Sequence, residues 1–241
     1  KVSHSEAGRY DNFGASVAMS GSYCVVGAPK EDVGEEDIKD GGAAYVFVLE
    51  NGVWAEVQEL VADDVSAIAR FGWNVDIKGE WVVVGDVKSE DSGVYVFKKA
   101  NDGKFIQVKK LLGDTSKESF GSAIAMGGDS LAVAAKDANA VYVYALAHGE
   151  CTLVKKLVGA EGEEGFGWSV DIGGQFLVVG VADSGFTYVY DFASDLRNPY
   201  KLLPKGTPLP KEFGASVAIS GTSILVGSVE DKRVYPFRGG R

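Results

Sequence analysis

"NFGASVAMSGSYCVVGAPK", Asn12 to Lys30, returns near the far end of the chain as "EFGASVAISGTSILVGSVE", Glu212 to Glu230. Two near-copies about two hundred residues apart are a repeat, and a repeat decides architecture before any single element does. The pair Phe-Gly recurs at Phe13, Phe71, Phe120, Phe166 and Phe213. Behind each pair comes a first apolar run ("FGASVAM", "FGWNVDI", "FGSAIAM", "FGWSVDI", "FGASVAI"). A polar turn follows, at Ser20-Gly21, Lys78-Gly79, Gly127-Gly128, Gly173-Gly174 and Ser220-Gly221. Next is a β-branched run ("CVVGAP", "VVVGDV", "LAVAAK", "LVVGVA", "ILVGSV"), then a loop and a third run ("AYVFV", "VYVFK", "VYVYA", "TYVYD", "VYPFR"). Four times a fourth run closes the unit ("AEVQELV", "FIQVKKLL", "TLVKKLV", "PYKLL").

The runs are short, rich in Val, Ile, Phe and Tyr, and bounded by Gly, Asp or Ser, and none shows a helical period. Each repeat is therefore a four-stranded antiparallel meander with strands a to d, joined by tight turns in which Gly supplies positive φ. A period of roughly 40–50 residues with four strands is that of a propeller blade. Runs such as "VVVG" are apolar without alternation because both faces of a blade are covered. The expectation is an all-β, five-bladed β-propeller forming one domain over residues 1–241, with blades starting near 13, 71, 120, 166 and 213. Blade 5 lacks a strand d, and its strand c carries Pro236, which cannot donate to a ladder. Strand c of blade 5 is thus expected to be a largely open edge, at best partly paired by Lys1-Val2-Ser3.

These residues resemble the FG-GAP repeat of the N-terminal propeller of integrin α subunits and of many secreted or surface proteins. Blade 1 carries the name literally, in Phe13-Gly14 and Gly27-Ala28-Pro29. Blades 2, 4 and 5 keep Phe-Gly and the later Gly, and blade 3 has Ala134 in its place. The resemblance implies an extracellular or cell-surface setting and a role in binding, adhesion or structural assembly. The integrin-type repeat often carries a calcium loop between strands a and b. Here that connection shrinks to turns such as "SGS" and "KGE", too short to supply the roughly six to eight oxygens calcium needs. No metal is expected there, and the closer likeness is to the metal-poor FG-GAP repeats of secreted proteins.

Charge narrows the partners. The net charge of −10 argues against nucleic acid and anionic membrane surfaces, and no apolar run reaches the roughly 18–20 residues of a membrane helix. Cys24 and Cys151 lie in strand-like runs and read as small buried hydrophobes. His4 and His148 lie in separate segments, so neither a zinc cluster nor a Ser-His-Asp triad is in view. The run "GAEGEEG" precedes a strand and carries three acids, unlike a phosphate loop.

Three features could carry function. Asp76 and Asp171 replace the Ala of strand a in blades 2 and 4, each behind "FGW". In the central channel they could bind a cation or act as acid and base; alternatively each accepts backbone hydrogen bonds at the channel wall. Trp73, Trp168, Trp54 and Trp81 read as packing or face aromatics. The strongest departure from the repeat is the b–c loop of blade 1. From Gly27 to Tyr45 it takes 18 residues, against 10, 8, 8 and 8 in the later blades. It contains Glu31, Asp32, Glu35, Glu36, Asp37 and Asp40, which could also hold calcium weakly. In a meander the b–c and d–a connections share one face, and their residues carry essentially all of the net charge. A single-signed face steers oppositely charged partners. The expectation is a non-enzymatic extracellular module that meets a cationic protein surface through this acidic face, without cofactor. The alternatives are an enzyme at the channel mouth and a carbohydrate-binding lectin.

Overall fold

The computed structural model describes residues 10–34, 38–86, 93–115, 118–204 and 212–238. Blade 1 is β1 (Ser16–Ser20), β2 (Tyr23–Ala28), β3 (Ala43–Glu50) and β4 (Val53–Leu60). Blade 2 is β5 (Asn74–Lys78), β6 (Trp81–Gly85), β7 (Gly93–Lys99) and β8 (Phe105–Leu112). Blade 3 is β9 (Phe120–Gly127), β10 (Ser130–Ala135), β11 (Ala140–Ala147) and β12 (Glu150–Val158). Blade 4 is β13 (Phe166–Gly173), β14 (Phe176–Val181), β15 (Phe186–Asp191) and β16 (Tyr200–Leu202), and blade 5 is β17 (Phe213–Ser220), β18 (Ser223–Ser228) and β19 (Arg233–Arg238). Each sheet is an antiparallel meander in chain order, four of four strands and one of three. The protein is an all-β, five-bladed propeller with an incomplete last blade. It falls into two compact units, Lys1–Gly121 and Ser122–Arg241. The strand expected from Lys1-Val2-Ser3 lies outside the described residues, and among those described β19 pairs only with β18.

The repeated letters have a packing reason. In blades 1, 2, 4 and 5 the Phe of Phe-Gly sits tilted or edge-on to two alternate aromatics of strand c in its own blade. Phe71 lies 5.2 Å from Tyr95 and 6.1 Å from Phe97, and Phe213 lies 5.4 Å from Tyr235 and 5.9 Å from Phe237. Phe13 and Phe166 repeat the arrangement with Tyr45 and Phe47 and with Tyr188 and Tyr190. Tilted and edge contacts at these separations add to the burial of the rings. The Gly that follows is left-handed every time, with φ from 85° to 97° at Gly14, Gly72, Gly121, Gly167 and Gly214, a conformation costly for any residue with a Cβ.

The later Gly, on strand b, answers a different need. Ser16 Oγ donates to Gly72 O at 2.8 Å, Asn74 Nδ2 to Gly121 O at 2.7 Å and Ser169 Oγ to Gly214 O at 2.8 Å. The third residue after each of these Phe thus latches onto the Phe-Gly carbonyl of the next blade. A Cβ on Gly27 would lie 2.0 Å from Gly72 O, and one on Gly180 2.0 Å from Gly214 O. Only glycine leaves room for the latch. Blade 3 has Ala123 where the latch hydroxyl would be and Ala134 where the glycine would be, so both halves are absent together.

The outer strands of blades 1 to 3 carry a bulge at one repeat position. The register slips between Val46 and Phe47, Val96 and Phe97, and Val143 and Tyr144. The skipped residues Val57, Val108 and Val154 all point out to solvent, about half exposed. A bulge interrupts the unpaired edge that would otherwise template pairing with another chain. Cys24 and Cys151 are buried and not joined in a disulfide.

Candidate binding face

The long b–c loop of blade 1 is a built hairpin. Val33 and Ile38 form a bridge with both N–H···O bonds, 3.2 and 2.9 Å. The hairpin is zipped to the chain leading into blade 2: Ile68 N–H donates to Lys39 O at 2.9 Å, Arg70 to Asp40 O at 3.1 Å and Phe71 to Gly41 O at 3.0 Å. Beneath it Val33 is 4% exposed and packs with Ile38 and Val65. Asp32 Oδ1 accepts from Asp40 N–H at 2.9 Å, which pins the two arms together. Arg70 sets a cation beside the hairpin base, its guanidinium 6.0 Å from the Trp73 ring. Glu35, Glu36 and Asp37 lie outside the described residues.

The acidity of the hairpin continues onto the sheet. In blades 2, 3 and 4 the Tyr of strand c faces a Lys of strand d: Tyr95 pairs with Lys110, Tyr142 with Lys156 and Tyr188 with Lys201. Each ammonium lies over its ring, at 5.0, 4.7 and 5.2 Å. In blades 2 and 4 a carboxylate completes the group. Lys110 contacts Asp64 at 2.6 Å, and Lys201 contacts Glu163 at 2.7 Å while Tyr188 Oη donates to Glu163 at 3.0 Å. Burial raises the Glu163 carboxyl, but bonds from Lys201, Ala160 N–H and Tyr188 outweigh it and hold it below the usual range. Blade 1 breaks this rule. Tyr45 pairs with Glu59 and donates to its Oε1 at 3.5 Å. Burial, then the charges of Glu59, Glu31 and Glu56, push the Tyr45 phenol well above its ordinary value. A hairpin acid and two strand acids thus surround the tyrosine that a lysine attends elsewhere. Sequence reading missed Glu59, although its signal is plain: "QEL" stands where the other blades read "KKL" or "YKL".

The two channel candidates sit differently. Asp171 Oδ1 accepts from Ile172 N–H at 2.8 Å and Oδ2 from Ile219 N–H at 2.7 Å, tying strand a of blade 4 to strand a of blade 5. Burial raises its carboxyl above the ordinary value, with those two bonds pulling the other way. Asp76 Oδ1 accepts from Ile77 N–H at 2.7 Å. Trp73 and Trp168 are 40% and 42% exposed, each beside a cation, Arg70 and Lys136. His148 is exposed in a turn, and His4 lies outside the described residues. Among the described residues no three His, Cys, Asp or Glu side chains converge as metal ligands would.

The FG-GAP repeat family matches residues 1–47 and 54–97. Those two stretches, in blades 1 and 2, match the FG-GAP repeat. The structure extends the same blade pattern beyond those stretches, in blades that keep Phe-Gly but have lost Ala-Pro. No curated protein matches by sequence. Among solved structures, a candidate 6-phosphogluconolactonase from Bacteroides uniformis is similar at 12% identity and a TM-score of 0.67, over 93% of this chain and 67% of that one. The periplasmic gluconolactonase of Pseudomonas aeruginosa is similar at 14% identity and a TM-score of 0.65, over 93% and 68%. A protein from Lactobacillus plantarum is similar at 14% identity and a TM-score of 0.61, over 93% and 70%. At such identities the likeness is one of fold. The expectation of a chain without enzymatic activity is overturned by it: structures named for lactonase activity share this fold, so the FG-GAP architecture gives no ground for excluding catalysis. No helix among the described residues is long and apolar enough to cross a membrane.

Proposed function

We propose that this propeller is an extracellular binding module, for adhesion or for building a larger assembly, that meets a cationic protein surface through blade 1. The observation that carries the reading is the replacement of the strand d lysine by Glu59, beside a hairpin rich in acids. Blades 2 and 4 neutralise their tyrosine groups internally with a Lys and a carboxylate. Blade 1 gathers Glu31, Glu56 and Glu59 around Tyr45 instead, and adds Asp32 and Asp40. A field of one sign raises the encounter rate with an oppositely charged surface and is screened by salt. The described arms of the hairpin are held by their bonds to 68–71, so little ordering of those arms is left to offset on binding. The experiment compares partner recovery by the wild type with recovery by a variant in which Glu35, Glu36, Asp37 and Asp40 are replaced by Ser or Asn.

A second reading, hydrolysis of a sugar lactone, is favoured by the fold shared with the two lactonase-named structures. Its carboxylates would be Asp76 and Asp171, though both oxygens of Asp171 already accept peptide N–H groups. Turnover of glucono-δ-lactone that is abolished by Asp76→Asn or Asp171→Asn would establish it.

A further inference from the structure

Blade 4 departs from the repeat as strongly as blade 1 does, but at the opposite end of the meander. Its c–d connection runs from Asp191 to Tyr200, where blades 1 and 3 turn in two residues, Asn51-Gly52 and His148-Gly149. Its strand d is cut to three residues, against eight or nine in blades 1 to 3. The longer loop is not slack. Leu196 is 4% exposed, seated in the core between blades 3 and 4. Lys155 Nζ donates to Asp195 O at 2.5 Å, and the single Ser194 Oγ–H is shared between Asp191 O and Arg197 O, at 2.9 and 3.0 Å. Three residues that are not glycine, Asp195, Leu196 and Asn198, are held left-handed, with φ of 55°, 54° and 53°. Such conformations persist only where the surroundings fix them.

Between this loop and the a–b turn lies a cavity of about 450 Å³. That is within the roughly 300–1,000 Å³ of small-molecule sites. One side is core: Phe176, Val189 and Tyr200 all belong to the apolar cluster between blades 4 and 5. The other side is planar and polar, with Gln175, Asp191, Arg197 and Asn198. Gln175 Nε2 already donates to Asp191 Oδ2 at 3.2 Å, which orients both, and Arg197 Nε donates to Asp195 Oδ2 at 3.2 Å. Asp191 also accepts from Ala193 N–H at 2.8 Å and Arg197 Nη2 also meets Asp195, so the carboxylate keeps a lone pair on each oxygen and the guanidinium its remaining N–H groups, while the Gln175 and Asn198 amides can donate and accept in one plane, as adjacent ring hydroxyls require. An apolar face suits the C–H side of a sugar ring. Arg197 and Lys155 both lie against Asp195, at 3.2 and 4.0 Å, so with Asp191 the two cations and two carboxylates balance, which favours an uncharged ligand.

We propose that this cavity is a binding site for an uncharged saccharide of one or two pyranose rings, distinct from the acidic hairpin of blade 1. The test is saturation-transfer NMR and calorimetric titration of the full chain with D-glucose, D-galactose, D-mannose and cellobiose. At least one is expected to bind saturably. Gln175→Ala and Arg197→Ala, both at exposed side chains, are each expected to weaken it about tenfold or more with the thermal midpoint unchanged. Should Arg197→Ala lower the midpoint, Gln175→Ala decides. Absence of saturable binding for all four sugars, binding by both variants equal to wild type, or displacement of the sugar by inorganic phosphate would each overturn the proposal.

Discussion

Replacing Gly180 by Ala tests whether the blades are latched in the way described. The new Cβ would stand 2.0 Å from Gly214 O and 2.4 Å from Ser169 Oγ. An ordinary carbon contact is about 3.5 Å, so the Phe-Gly turn of blade 5 must retreat by more than about 1 Å. That movement breaks the Ser169 Oγ–Gly214 O bond of 2.8 Å. Overpacking costs about 1–3 kcal/mol, and loss of the bond about 1 kcal/mol more. The total is about 3 kcal/mol, a drop of roughly 6–12 °C in midpoint for a chain of this size. Ser169→Ala alone should cost about 1 kcal/mol, and the double variant should fall short of the sum because both changes act on one contact. Circular dichroism melts of the three variants give the values. A Gly180→Ala midpoint within about 2 °C of wild type would refute the latch, since nothing else explains a glycine at that strand position.

Further outcomes follow from single residues. Thr187 is fully buried and its Oγ1 has no hydrogen-bond partner; Thr187→Val, the residue blades 2 and 3 carry there, should raise the midpoint by a few degrees, worth about 1 kcal/mol. The Glu163 carboxyl is held low by Lys201, so its contribution is present above the unfolded value of about 4.3 and lost as pH falls through the folded one. The Lys201 ammonium is raised, chiefly by Glu163, so its contribution is present below about 10.4 and lost as pH rises through the folded value. The stability difference between wild type and Lys201→Met should therefore be flat from about pH 5 to 9 and shrink below about pH 4; a difference that persists unchanged into acid contradicts the pairing. Glu59→Lys places in blade 1 the lysine of its siblings, and should lower the Tyr45 titration in spectrophotometric measurement while weakening partner binding.

The fold was legible because its signals are local and repeated five times. Phe-Gly, the turn glycines and the Tyr-x-aromatic runs each report a contact made within a blade or with its neighbour, so the repetition carries the register with it. What stayed hidden depends on pairing across strands. That Glu59 faces Tyr45 is set by the bulge at Val57, which a reading by spacing does not see. The polar cavity of blade 4 was legible only as an unusual distance from Asp191 to Tyr200. Its seating of Leu196 against blade 3 is a tertiary choice that overrides the usual backbone preference of leucine. The acidic loop was visible as a charge run, but its shape was not, since Val33 and Ile38 are two apolar residues in a run of acids and their bridge sets the hairpin.

A binding surface built from the acidity of blade 1 must show itself in the kinetics of association. The most direct measurement is the association rate of the wild type and of the Glu35, Glu36, Asp37 and Asp40 variant with the partner recovered from the native source, by surface plasmon resonance at low and high salt. The wild-type rate is expected to fall steeply with salt, and the variant to be slow at low salt and nearly insensitive to it. Equal rates for both proteins with no salt dependence would contradict it.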